Sequence, residues 1–95
     1  MFCNSYTVPS TAISVSDLIY NDVSETYQDI INSGVIIGDL IIQANEANTS
    51  KLYFGDEIEQ AIYLNAGSSS GFFKINLNKL FIRGNDIDSI NIFLT

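Results

Sequence analysis

The groups in this chain that could do chemistry are one thiol, a scatter of carboxylates and one glycine-rich stretch, and no histidine accompanies any of them. Without an imidazole the commonest base at neutral pH is missing, and Ser–His–Asp and Cys–His sets are excluded. Cys3 is the single cysteine. It has no basic neighbour in sequence to favour its thiolate, so it is expected to be an inert side chain. One cysteine makes no intramolecular disulfide and cannot supply a tetrahedral zinc set. The carboxylates are densest at Asp56, Glu57 and Glu59, then at Asp86 and Asp88. Glycosidic cleavage needs two carboxyl groups about 5 to 9.5 Å apart across a sugar cleft, and a chain of 95 residues has little material to wall one. Asn85, Asp86 and Asp88 gather oxygen atoms as a calcium loop does. Calcium takes about six to eight oxygens, however, and an Asx-type turn accounts for the same residues. Gly67-Ser-Ser-Ser-Gly71 lacks the lysine of a phosphate loop and reads as a hairpin connection. No catalytic residue, metal or cofactor is expected.

The elements that must position side chains are strands. Residues 11–16 alternate, with Ile13 and Val15 on one face. Residues 39–45 put Leu40, Ile42 and Ala44 on one face, and 50–54 do the same with Leu52 and Phe54. Ile62 and Leu64 are expected inward in 59–64, Phe73, Ile75 and Leu77 in 72–77, Leu80 and Ile82 in 80–83, and Ile90, Ile92 and Leu94 in 89–94. Residues 17–31 fit either a short helix or helical turn, or irregular or strand structure with Tyr27 starting a strand, and Gly34 is a firm break. Short alternating strands with polar turns predict an all-β fold: a small antiparallel β-sandwich or jelly-roll-like barrel, with at most one short helix before Gly34. The predicted organisation is an N-terminal arm over residues 1–10, loose or laid across a neighbour, and a single domain over 11–95.

The charge narrows the partners. Eleven acidic residues against four basic ones give a net charge of −7, which disfavours nucleic acid and anionic membranes. No apolar run reaches the roughly 20 residues of a spanning helix. The start of the sequence has no basic, then apolar, leader pattern, so synthesis in a cytoplasm is expected. Only 16% of residues are charged, below the roughly 25% usual in soluble domains, so fewer strongly hydrated groups must be stripped on docking.

The alternation also leaves large side chains on the outer strand faces, at Ile41, Tyr53, Tyr63, Phe72, Phe81 and Phe93. A free antiparallel sheet usually shows water a polar face. Aromatics there are either cross-strand pairs that stabilise the sheet or anchors for another protein. With Phe2 and Tyr6 in the arm, these residues form the predicted protein interface.

Leu40-Ile-Ile-Gln-Ala-Asn45, Leu52-Tyr-Phe-Gly55, Gly71-Phe-Phe-Lys-Ile-Asn-Leu77 and Lys79-Leu-Phe-Ile-Arg83 together make the stretch 36–94 resemble small β-sandwich structural proteins of tailed bacteriophage virions. Those proteins decorate capsids, form head fibres or adapt one tail ring to the next. The resemblance implies a virion protein, made in the host cytoplasm, that is not an enzyme, forms a homo-oligomer and binds neighbouring capsid or tail subunits. An alternative is a small acidic intracellular inhibitor that blocks a basic protein surface.

Overall fold

The computed structural model describes residues 2–35 and 37–94. Its strands are β1 (Phe2–Thr7), β2 (Ile13–Ser14), β3 (Ile37–Ala44), β4 (Leu52–Gly55), β5 (Ile62–Leu64), β6 (Ser69–Asn76), β7 (Phe81–Arg83) and β8 (Ser89–Leu94). They form two four-stranded antiparallel sheets, sheet A in the order β1-β8-β3-β6 and sheet B in the order β2-β7-β4-β5. First pairs with last, second with seventh, third with sixth and fourth with fifth. The chain is thus one long antiparallel hairpin whose two arms roll up together, the winding of an eight-stranded jelly roll.

Period-two side chains make the two sheets face each other. Leu40, Ile42 and Ala44 of β3 and Ile90, Ile92 and Leu94 of β8 are buried on the inner face of sheet A, and Leu52, Phe54, Leu64 and Ile82 on that of sheet B. Two helices join β2 to β3: α1 (Val15–Ile19), then a 3-10 turn at Tyr20–Asp22, then α2 (Glu25–Asn32). The Ser14 and Ser24 hydroxyls cap the two helices by accepting the N–H groups of Asp17 and Tyr27, at 3.1 and 3.3 Å. Gly34, at φ +95°, supplies the left-handed residue beyond α2. Val15, Ile19 and Ile31 bury the inner side of this segment, and the Asn78 amide ties it to the β6–β7 turn by donating to the Ile31 carbonyl at 3.1 Å.

Several expectations need correction. Residues 2–7 are not a loose arm: they form edge strand β1, in register from Phe2↔Leu94 to Thr7↔Ser89, and Val8 after them is fully buried. The strand expected over 11–16 shrinks to Ile13–Ser14, because the Ser14 cap starts α1. Ile62 keeps the inward side, opposite Phe54, but is 59% exposed because β5 is an edge strand. Phe72 and Phe73 are exchanged. Phe72 points in, its ring edge-on to Phe54 at 5.4 Å, whereas Phe73 is 82% exposed. The cause is a bulge. The β3–β6 register shifts between Gly38 and Leu40, Lys74 takes φ +51°, and its N–H donates to the Asp39 carboxylate at 2.9 Å. One extra residue in β6 turns every side chain before it to the other face.

Candidate interaction faces

The outer face of sheet B is a row of tyrosines closed by cations. Tyr53 stands opposite Tyr63 on one side and Arg83 on the other. The two rings meet edge-on with centroids 6.2 Å apart. Lys51 Nζ lies 4.0 Å from the Tyr63 ring centre and Arg83 Cζ 4.6 Å from that of Tyr53. Each such aromatic or cation–π contact is worth about 0.5–1 kcal/mol at an exposed site. These rings therefore find partners in their own chain. Phe81 is half-buried beside them, opposite Gly55 and Ser14. A Cβ on Gly55 would sit 2.2 Å from the Glu59 carbonyl oxygen, so the tight turn at the end of β4 requires glycine.

The outer face of sheet A is built differently. One transverse row runs Cys3, Phe93, Ile41, Gly71 across all four strands, and the next runs Ser5, Asn91, Gln43, Ser69. None of these eight positions carries a charge. In the polar row the Ser5 hydroxyl donates to Asn91 Oδ1 at 2.6 Å, and Asn91 Nδ2 donates to Gln43 Oε1 at 3.1 Å. The amides are thereby tied to one another along the face. In the apolar row Ile41 is 49% exposed, Phe93 half-buried and Cys3 exposed. Phe73, on the same side of β6, and Ile37, on that of β3, extend the apolar surface. Gly71 leaves the row shallow at one end, where a Cβ would meet only the Leu40 carbonyl oxygen, at 3.9 Å. The face is slightly hollowed along Cys3, Ile41, Gln43 and Phe93.

The carboxylates considered for catalysis or calcium are occupied by the chain itself. Asp88 is buried, 4% exposed, and accepts the N–H groups of Thr49 and Ser50 at 3.0 and 2.8 Å and the Asn85 amide at 3.1 Å. These hydrogen bonds, the Thr49 N–H first, hold its carboxyl below the usual carboxylate range. Asn85 Oδ1 accepts the Ile87 and Asp88 N–H groups in an Asx turn. Asp86 accepts the Ser10 N–H at 2.9 Å, and Asp56 those of Ile58 and Glu59, both at 2.8 Å; both carboxyls are likewise lowered by those N–H groups. Together the 84–89 loop clamps residues 8–10 and 48–50 at one end of the sandwich. Among the described residues, no three His, Cys, Asp or Glu side chains converge to hold a metal.

The eight residues singled out from the sequence therefore separate. Ile41 and Phe93 stand side by side on the outer face of sheet A; Tyr53, Tyr63 and Phe81 lie on that of sheet B. Phe2, Tyr6 and Phe72 pack against the chain's own core and are not available as a reaching arm or an outward anchor. Burial and a hydrogen bond to Asp22 push the Tyr6 hydroxyl up to about 12. Sequence reasoning set Gln43 on the face of Ile41 but missed Phe73, Cys3 and Asn91 as members of that surface. Phe2, Asn4 and Tyr6 alternate, which was the available sign that Cys3 belongs to a strand; nothing in the sequence marks the bulge that turns Phe73 outward. Comparison with protein families, curated proteins and solved structures returns no match for this chain.

Proposed function

We propose that this protein is a non-catalytic assembly component that joins a larger protein particle through the outer face of sheet A. The observation that carries the reading is the pair of charge-free rows across four strands, with Ile41 exposed in them, Phe73 exposed beside them and no other segment among the described residues covering them. Apolar side chains beside an uncharged amide row resemble the fully buried centre of a protein interface, where charged residues are depleted. The resemblance to tailed-phage virion proteins supplies the particle: a capsid or tail whose neighbouring subunits cover this face. The jelly-roll winding, a fold of viral capsid and lectin domains, supports that choice by analogy, since a fold alone does not fix function. Repetition around a particle suits a small contact, because many weak bonds act together.

The test is recovery of the protein in particles purified from the producing cell. The wild type is expected at fixed stoichiometry, and Ile41→Glu, folded by circular dichroism, is expected to be lost. Absence of the wild type from particles, or full retention of the variant, overturns the proposal.

A second reading is favoured by one observation. Asp17, Asp22, Glu25 and Asp29 are all exposed on the helical segment, and no Lys or Arg precedes Lys51. That acidic side fits a basic protein surface, as the inhibitor alternative requires. Such binding weakens steeply with salt; salt-independent binding counts against it.

A further inference from the structure

We infer that Asp39 and Phe73 together form a seat for an arginine side chain supplied by another protein. The inference rests on the reading of the outer face of sheet A as a docking surface and names what its partner must carry.

The seat follows from the register of the bulge. Gly38 stands opposite Ile75 and Leu40 opposite Phe72, so Asp39 alone faces both Phe73 and Lys74. Asp39 is exposed, between outward Ile37 and Ile41 along β3. Phe73 is turned to the same side and is 82% exposed. A carboxylate and a phenyl ring thus stand next to each other on neighbouring strands, beside the apolar row. The arrangement is pre-set. The Lys74 N–H donates to Asp39 Oδ1 at 2.9 Å, and Lys74 holds a left-handed φ of +51°. That backbone is costly for a residue with a Cβ and persists only where its surroundings fix it. What it produces is an outward ring beside an acid.

The carboxylate then decides the charge of the occupant. Among the described residues Asp39 Oδ2 has no partner, and no ion pair joins the carboxylate to the neighbouring Lys74 ammonium. A protein that covers Ile37, Ile41 and Phe73 also takes water from Asp39. A carboxylate stripped of water and left without a cation is strongly disfavoured. The occupant must therefore bring a positive group to this spot.

Arginine satisfies both halves of the seat, whereas lysine suits the carboxylate better than the ring. The guanidinium is planar, so it can donate to the carboxylate while its face lies on the ring, and it is less strongly hydrated than an ammonium. The chain closes a ring in this way on sheet B, where Arg83 Cζ lies 4.6 Å from the Tyr53 ring centre. Arg83 is the only arginine in the chain and is engaged there, so the guanidinium comes from a different protein. The net charge of −7 likewise favours a basic partner.

The experiment is an NMR titration of the full chain with the blocked tripeptide acetyl-Leu-Arg-Leu-amide. The same peptide is run with citrulline, which has nearly the shape of arginine without its charge, and with lysine. Saturable shifts are expected at the backbone N–H groups of Asp39, Phe73 and Lys74, with arginine bound about five-fold more tightly than citrulline and lysine in between. Asp39→Asn keeps an oxygen for the Lys74 N–H but loses the charge, and should abolish the preference over citrulline. Phe73→Leu, at an exposed position, should abolish the preference for arginine over lysine. Equal binding of arginine and citrulline, no shift with any peptide, or a preference that survives Asp39→Asn overturns the seat. Particle recovery separates this from the docking reading. Loss of Ile41→Glu from particles without any arginine preference leaves the docking face and removes the seat; retention of Ile41→Glu with the preference intact does the reverse.

Discussion

The two outer faces of the sandwich carry similar numbers of large side chains and treat them in opposite ways. On sheet B, Tyr53 and Tyr63 lean on each other and are closed by Arg83 and Lys51, so that two of the four cations in the chain complete an internal row. On sheet A, Ile41 and Phe93 stand in a row without charge, and Ile41 and Phe73 stay exposed with no cation closing over them among the described contacts. An exposed ring is therefore not by itself a sign of an interface. What matters is whether the same chain already supplies the groups that the ring can bind.

Substitutions can break or sharpen that contrast. The largest effect is expected beneath the faces. Phe54→Ala should lower the unfolding free energy by about 3–5 kcal/mol in urea titration, because a buried ring leaves a cavity. Half-buried Phe72, which meets it edge-on, should cost about 2 kcal/mol when changed to alanine. Phe73→Ala, one residue further on, should change stability by no more than about 0.5 kcal/mol. Equal losses at 72 and 73 would show that the bulge does not hold them on opposite faces.

Acid should come next, and it should act on both faces together. The carboxyls of Asp56, Asp86 and Asp88 are all held below the ordinary value of about 3.9 by backbone N–H groups that they lose on unfolding. Their contribution is complete above the unfolded pKa and is lost as pH falls through the depressed folded values. The thermal midpoint should therefore drop below about pH 4. Asp88→Asn should start lower at neutral pH and flatten that acid limb; an unchanged pH profile would show that the buried carboxylate is not what joins the loops.

On the surfaces themselves, Tyr53→Ala should cost about 1–2 kcal/mol through the ring pair and the Arg83 contact. Ile41→Ser should cost about 0.5 kcal/mol or less in the monomer. If the costs are reversed, so is the contrast between the faces. The smallest effect is a double-mutant cycle of Lys51→Met and Tyr63→Leu, with an expected coupling of about 0.5 kcal/mol. A coupling of zero would reduce that contact to mere proximity.

Much of the sandwich was legible in the sequence because alternation is a local signal. Leu40-x-Ile42-x-Ala44, Leu52-x-Phe54 and Ile90-x-Ile92-x-Leu94 name the inner face without any knowledge of neighbours, and all of these residues are buried. Where a face is decided by another strand, the sequence is silent. Phe72 and Phe73 cannot be told apart without the register of β3, and the positive φ that exchanges them falls on Lys74, where glycine, asparagine or aspartate would have been the usual marker. The helical segment was ambiguous because its eight-residue α2 is too short to be stable alone. The Ser24 cap and the tie from Asn78, far along the chain, settle it. Strand β1 reads as polar because it is an edge whose pairing comes from the backbone of β8. The candidate face was legible only in part for the same reason: Ile41 with Gln43, and Phe93, could be seen to point outward, but that their strands lie side by side with Cys3 next to Phe93 is a fact of strand order.

That order also sets a time. Strand β8 is inserted between β1 and β3, so β1 has no hydrogen-bonded neighbour until β8 exists. Until β8 is made, the middle of sheet A is missing, and with it Phe93 and Asn91. Pairings so distant in sequence also form slowly. The proposed docking surface is thus complete only once β8 has paired, and chains that stop short of it cannot be recruited through that face.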